Sequence, residues 1–383
     1  MDRPVYLDNN ATTPVDPEVL EAALPFLRGA FGNPSSKTHS YGWEAHSAVE
    51  KARAQVATLL GTLPQNIIWT SGATESNNMA LLGPIRTALK EEGKAHLITT
   101  ETEHKSVLDV ARALEREGAE VTYLKPDLYG RVDVKDVERS FLPHTRLVSI
   151  IMGNNEIGTL NPIPEIGERT QARNIPLHVD AAQCLGKVPM AVEDLKIDLL
   201  SASAHKIYAP KGTGILYVRK GFDLEPTLYG GDQERGLRPG TLNVMGCVAM
   251  GRACDIAHSK GDRERLRLTR MRDSLIERLI SEIPTARLNG HPTERLCNNI
   301  SLTFTDLPAD IFAMGLKGLA LSSGSACTSG EFSHVLKAIG LSDHLARSTI
   351  RIGIGRFTTE EDLHFAADQI IHCLQAQEKP HVR

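Results

Sequence analysis

The sequence predicts an α/β protein: a large domain on a mostly parallel sheet, followed by a smaller α+β domain. Strand-like and helix-like stretches alternate from about residue 16 to 255. Such alternation is the pattern of a parallel sheet covered by helices on both faces. After Arg252 it gives way to a highly charged helical stretch over residues 262–283. The length, 383 residues, exceeds what one ordinary core organises. Residues 1–15 then form an N-terminal arm packing with the small domain, 16–255 the large domain and 256–383 the small one.

Residues 43–60 are amphipathic and helical, closed by Gly61. Short β-branched or apolar runs at 66–70, 95–100, 120–124, 147–152, 176–180, 195–200 and 214–218 read as strands of the large domain. Residues 298–305, 319–323 and 348–354 read as strands of the small one, and 359–375 as a final helix opened by a Thr-Thr-Glu-Glu cap. The basic run 263–272 reads as a solvated helix face, and 377–383 as a frayed tail.

Four places carry chemistry. Lys206 follows Ser201-Ala202-Ser203-Ala204-His205 on a tight turn between two strands, where an amine held in an apolar fold loses its proton and becomes nucleophilic. Asp180 ends the preceding strand, at the edge where open α/β sheets bind ligands. A carboxylate for a pyridinium nitrogen and a lysine for an aldehyde are what pyridoxal phosphate requires. Gly72, between the strand 66–70 and a helix starting near Ala73 and Thr74, offers free amides and a positive dipole end to a phosphate. Finally, Cys327 lies in Ser322-Ser323-Gly324-Ser325-Ala326-Cys327-Thr328-Ser329-Gly330, a run too poor in apolar side chains to hold one conformation. A mobile loop of this kind, spanning 322–333, can carry a thiol to a partner.

The chain resembles the group I cysteine desulfurases of NifS/IscS type, in the class V aminotransferase group of fold-type I pyridoxal phosphate enzymes. The motifs span nearly the whole chain: Tyr6 to Pro14, Gly32 to Ser36, Thr70 to Asn77, Thr102 to Lys105, Asn154 to Gly158, His178 to Gln183, His205-Lys206, Gly240-Thr241, the Cys327 loop and Ile350-Arg351. The resemblance implies a seven-stranded-type sheet and a homodimer. It implies that Lys206 binds pyridoxal 5′-phosphate and moves the substrate's Cα proton, that His104 stacks on the ring, and that Asp180 keeps the ring nitrogen protonated. Gln183 and Asn155 would bond the phenolic oxygen or nearby substrate groups. Ala73, Thr74, Ser203 and His205 would hold the phosphate, completed by Thr241 of a second subunit. Arg351 would clamp the substrate carboxylate, a task suited to a fork of donors. Cys327 would take sulfur from L-cysteine as a persulfide, leaving alanine, with His104 as a base for the thiol, whose ordinary pKa is about 8.5. An iron–sulfur scaffold, a tRNA-thiolation pathway or nitrogenase maturation would receive the sulfur. A nascent cluster on such a partner is the one metal Cys327 would meet. Three departures stand out: Gly330 to Leu336 is two residues shorter than usual, Pro239 replaces a small residue before Gly240-Thr241, and the chain stops soon after its last helix.

A formal net charge of −4 gives no basic footprint for nucleic acid. No apolar run approaches the ~18 residues of a membrane span, and the N-terminus is no secretory signal. Six cysteines, without CxxC or regular spacing, point to reduced thiols in the cytoplasm rather than a zinc site or disulfides. Three rivals stay open. A class V transaminase or lyase on another amino acid would share Lys206 and Asp180 without needing Cys327. Selenocysteine is an alternative substrate. A non-catalytic assembly scaffold would bind no coenzyme.

Overall fold

The computed structural model describes residues 3–305, 316, 318–323 and 332–378. Cys327 and its neighbours 324–331 lie outside the described residues, as does the tail from 379. The strands are β1 (Val5–Tyr6), β2 (Ile67–Thr70), β3 (His96–Thr100), β4 (Glu120–Leu124), β5 (Thr145–Ile151), β6 (Leu177–Asp180), β7 (Leu199–Ser203), β8 (Gly214–Val218), β9 (Ala286–Leu288), β10 (Asn299–Phe304), β11 (Leu319–Ala320), β12 (Ser322–Ser323) and β13 (Thr349–Gly353).

Seven of them make one sheet in the order β2-β8-β7-β6-β5-β3-β4. Only β8 runs against its neighbours; the pairs from β7 to β4 are parallel. Successive side chains alternate between two apolar layers. Ile67, Trp69, Ile150, Val179 and Leu200 enter one core, while Ile68, Leu97, Leu147, Leu199 and Leu216 enter the other. Burial on both faces is why these strands read as apolar runs rather than alternating ones. The second sheet, β12-β13-β10-β9, is antiparallel and has its own core of Leu268, Ile300, Leu302, Ile350, Ile352 and Ile370 among others.

Several expectations shift. The strand read at 195–200 begins only at Leu199, because Lys196 adopts a left-handed turn (φ 57°). The stretch 319–323 is two strands, β11 beside β1 and β12 beside β13. β9 was not anticipated. The helix expected from residue 262 runs unbroken over Val244–Glu282, so the division at 255/256 falls inside it. Its first half joins the large-sheet core through Cys247, Met250 and Cys254, and its second half joins the other core through Leu268, Leu275 and Leu279. Glycines 246, 251 and 261 weaken the local helix signal, but Gly251 is there for packing: a Cβ would meet Ala52 at 2.6 Å. Nor is the run 263–272 simply solvated. Arg272 is buried and donates to the Leu296 carbonyl at 2.8 Å. Arg267 donates to the carbonyls of Thr358 and Arg356. The final helix covers Glu360–Glu378. Thr359 and Asp362 cap it reciprocally.

The arm touches both parts. β1 pairs with β11, and Leu7 sits in the small-sheet core. Further on, the Thr13 amide donates to the His205 carbonyl and the Asp16 amide to that of Tyr208, each at 3.0 Å. No helix among the described residues is long and apolar enough to cross a membrane.

One buried ion pair anchors the loop that leads toward Thr241. Arg53 grips both oxygens of Glu234 at 2.7 Å, and the Trp69 amide donates to the same carboxylate at 2.7 Å. Glu234 itself sits at φ 47°, a backbone cost the pair must offset. Replacing Glu234 by Ala removes the buried carboxylate from a buried guanidinium, which keeps only the half-exposed Glu50 and the Ile67 carbonyl. It is expected to lower unfolding free energy by about 3–5 kcal/mol, read as a lower urea midpoint at unchanged slope.

Candidate active site

A cavity of about 550 Å³ opens at the carboxyl ends of β5, β6 and β7. Ala73, Thr74, His104, Asn155, Asp180, Gln183, Ser203, His205, Lys206 and Arg351 all line it. Of the residues singled out from sequence, Thr241 is exposed and does not line it, and Cys327 is outside the described residues.

Lys206 stands on the short turn Ala204–Lys206 that follows β7. Its Nζ donates to the carbonyls of Asn10 (2.6 Å) and Ala11 (2.7 Å) in the arm. Among the described residues no carboxylate lies within ion-pair distance of it. Burial, then the charges of Lys187 and Arg351, push its pKa down to about 7 against the opposing pull of Asp8 and Asp180. Lys187, buried itself, donates to the Lys206 carbonyl at 2.9 Å from behind. His205 is held down to about 4 by burial and by Lys206, Lys211 and Lys187, so it is neutral at pH 7.

Asp180 closes β6. Its Oδ1 accepts from the Ala182 amide and its Oδ2 from Asn77 Nδ2, at 2.9 and 2.8 Å. Asn77 also donates to Ser106 Oγ at 2.8 Å. Ser106 Oγ lies 2.8 Å from His104 Nδ1, which accepts the Ser106 amide as well. Because Nδ1 accepts the Ser106 amide it carries no proton, so the Ser106 hydroxyl donates to it. The neutral imidazole therefore carries its proton on Nε2. Burial holds His104 below the ordinary histidine value, with Asp180 opposing and Lys206 adding. Beneath lies Glu103, fully buried, its Oε1 accepting from the Ile151 amide at 2.7 Å. Burial pushes this carboxyl well above the usual range.

The helix Ala73–Glu92 begins at Gly72 without a side-chain cap, which leaves its first amides for a ligand. β8 comes in so close behind that a Cβ on Gly214 would meet Gly72 Cα at 2.5 Å. Glu75 also lines the cavity, its charge paired with Arg238 at 2.8 Å and its Oε2 accepting from the Ser71 amide. Gln183 is already engaged: it donates to the Asn10 carbonyl at 2.8 Å. Asn155 accepts from Arg351 and Asn299 through its backbone carbonyl. A second hollow, about 440 Å³, adjoins the cavity and shares His104, Asn155 and Arg351 with it. Ser323 and Phe332, which flank the segment carrying Cys327, both line this outer hollow.

The pattern of the class-V aminotransferases matches residues 5–365. This chain is a member of the class-V aminotransferase family, in its cysteine desulfurase branch. The cysteine desulfurase of Mus musculus is 47% identical over 374 residues, 97% of this chain and 81% of that one. The cysteine desulfurase IscS of Anaeromyxobacter dehalogenans (strain 2CP-C) is 47% identical over 367 residues, 95% of this chain and 90% of that one. A solved NifS-like protein superposes with a TM-score of 0.91 at 37% identity, covering 97% of this chain and all of the other.

Pyridoxal phosphate is the cofactor of this family, and the cavity suits it. The uncapped amides at Ala73 and Thr74 fit a phosphate, Asp180 fits a protonated ring nitrogen, and the volume falls within the usual range for small-molecule sites. Lys206, with its lowered proton affinity, fits an aldehyde. Asn77, Glu103, Asp8 and Lys187 neighbour the site; the first three lie inside the motifs, yet none carries a role in the sequence reading. Asn77 was legible in principle, one helical turn after Thr74 on the same face. The others act through folded geometry.

Asn77→Asp sets a second carboxylate against Asp180, which disfavours ionisation of both. Affinity for pyridoxal phosphate in equilibrium dialysis is expected to fall by roughly tenfold or more, about 1.4 kcal/mol, whereas Asn78→Asp leaves it unchanged.

Proposed function

We propose that this chain is a pyridoxal phosphate-dependent cysteine desulfurase that moves sulfur from L-cysteine onto Cys327 and then to an acceptor. The observation that carries the reading is the paired geometry of the two hollows. Lys206 and Asp180 face each other across the inner one, and both flanks of the Cys327 segment line the outer one.

When bound, the coenzyme supplies an electron sink that weakens bonds at the substrate's carbons. The chain does the rest. Ala73, Thr74, Ser203 and His205 hold the phosphate, and Asp180, fixed by Asn77, faces the ring nitrogen. Lys206, half deprotonated near pH 7, carries the coenzyme and then takes and returns the substrate's Cα proton at Nζ. His104 meets ligands as a donor from Nε2. The resemblance implies a base role for His104; we read it as a donor because Nδ1 accepts the Ser106 amide. Arg351 and Asn155 orient the substrate through its carboxylate.

Sulfur transfer falls to Cys327. Burial pushes the thiols of Cys184, Cys247, Cys254, Cys297 and Cys373 up, so none of these five is a ready thiolate. The Cys327 thiolate attacks the substrate sulfur, an S–S bond forms, the C–S bond breaks, and its electron pair stays with the carbon fragment that becomes alanine. Cys327 is four positions beyond Ser323, a reach of about 14 Å at full extension.

We further propose a homodimer. Thr241 lies outside its own chain's cavity, and Leu228 and Tyr229 nearby in sequence are exposed, as expected of a face that meets a second copy. The division into a large coenzyme domain and a small domain is best drawn within the long helix, between Ala257 and Leu268, where its side chains change cores. A sulfur-accepting scaffold protein as partner, and the cytoplasm as compartment, complete the proposal; the buried free thiols support the latter.

Incubation with L-cysteine is expected to release alanine and to add about 32 Da, one sulfur atom, to the intact protein at Cys327. Cys327→Ala should lose this mass and at least about a hundredfold in rate, as for loss of a nucleophile, while keeping its yellow colour. Lys206→Ala should lose the colour. A Cys327→Ala protein with full desulfurase rate would refute the assignment.

A further inference from the structure

Arg351 is the one arginine lining the inner cavity among the described residues, and its donors are already largely taken. One NH2 hydrogen goes to Asp8 Oδ1 and the other to Ser322 Oγ, each at 2.9 Å. NH1 donates to the Asn155 carbonyl at 3.0 Å. Nε is buried and meets no acceptor among the described residues. Ser322 Oγ also donates to the same Asp8 oxygen at 2.8 Å, so the three side chains close a ring.

A carboxylate held in fork geometry needs two neighbouring N–H groups pointing the same way. Nε is buried and NH1 keeps one hydrogen beyond its bond to Asn155, so either fork needs an NH2 hydrogen, and both of those are bound, to Asp8 and to Ser322. An arriving carboxylate can complete the fork only by displacing one of them. Two carboxylates on one guanidinium also repel each other. Asp8 in turn spares Arg351 the cost of an unpaired, largely buried charge while the site is empty.

We propose that Asp8 is a specificity-setting residue, an internal carboxylate that occupies Arg351 until the α-carboxylate of an amino acid displaces it. It therefore weakens binding of every carboxylate ligand and leaves ligands without one untouched. This rests on the reading of Arg351 as the carboxylate clamp. Ser322 belongs to β12, paired with Arg351 in β13, so displacement is felt at the strand that leads into the Cys327 segment.

The test is calorimetric binding to the coenzyme-loaded protein of L-alanine, which has the amine and carboxylate but no sulfur to give up, and of cysteamine, which has the amine and thiol but no carboxylate. Asp8→Asn is expected to bind alanine at least about threefold more tightly, the scale of a partly exposed ion pair, with cysteamine within about twofold of wild type. Ser322→Ala, which frees the other NH2 hydrogen, should shift alanine in the same direction and decides the matter alone if Asp8→Asn fails to fold. Alanine binding that is unchanged or weaker in these variants overturns the proposal, as does an equal tightening of cysteamine. Arg351→Lys separates the two readings. If it weakens alanine but not cysteamine, the clamp stands and Asp8 is judged on its own variants. If it weakens neither selectively, the clamp is misassigned and the proposal falls with it.

Discussion

The fold turns on how one amine is seated. Lys206 Nζ is held by two backbone carbonyls, those of Asn10 and Ala11, and by no carboxylate among the described residues. Carbonyl dipoles satisfy the donors of an ammonium without supplying a full opposite charge. The amine is therefore kept in place yet remains ready to give up its proton. Lys187 behind it and Arg351 beside it push in the same direction. A carboxylate partner in that position would hold the lysine charged and inert.

The carbonyls come from the N-terminal arm, and this explains the arm's course. It adds a strand beside β11, crosses Gly353 through Leu7 and Asn9, and then bonds to the turn that carries Lys206. Along the way Asp8 meets Arg351, and Asn10 meets Gln183. A dozen residues thus connect the Lys206 amine, the Arg351 guanidinium and both cores. Tyr208, held at φ 65° just after Lys206, is locked by its amide on Thr13, its carbonyl on Asp16 and its hydroxyl on the Arg356 amide. Strain of this kind persists only where surroundings over-determine it; here it fixes the direction from which Lys206 enters the cavity.

Much of this was legible from the residues. The mostly apolar runs of β3, β5 and β6 mark a parallel sheet because both faces are buried. Asp180 at a strand end and Gly72 before a helix mark the cavity because strand and helix termini are where backbone groups are left unpaired. What stayed hidden depends on contacts between distant segments. The unbroken helix Val244–Glu282 survives three glycines because Gly251 packs on Ala52, and nothing local announces that. Arg267 and Arg272 look like surface charges until the carbonyls they serve fold over them. Asp8 sits inside a motif, but its meeting with Arg351 joins residues 343 positions apart. The tautomer of His104, by contrast, is set locally, because the imidazole caps its own helix and accepts the Ser106 amide.

The most direct test of the account is the titration of Lys206 in the coenzyme-free protein, followed as the rate at which it captures pyridoxal phosphate covalently at each pH. Only the unprotonated amine reacts, so the rate rises with pH through the pKa of the folded protein. With Lys187 and Arg351 lowering it and Asp8 and Asp180 opposing, the midpoint is predicted at about 7. A midpoint near the ordinary lysine value of about 10.4 would contradict the claim that burial against uncharged carbonyls sets the chemistry of this site.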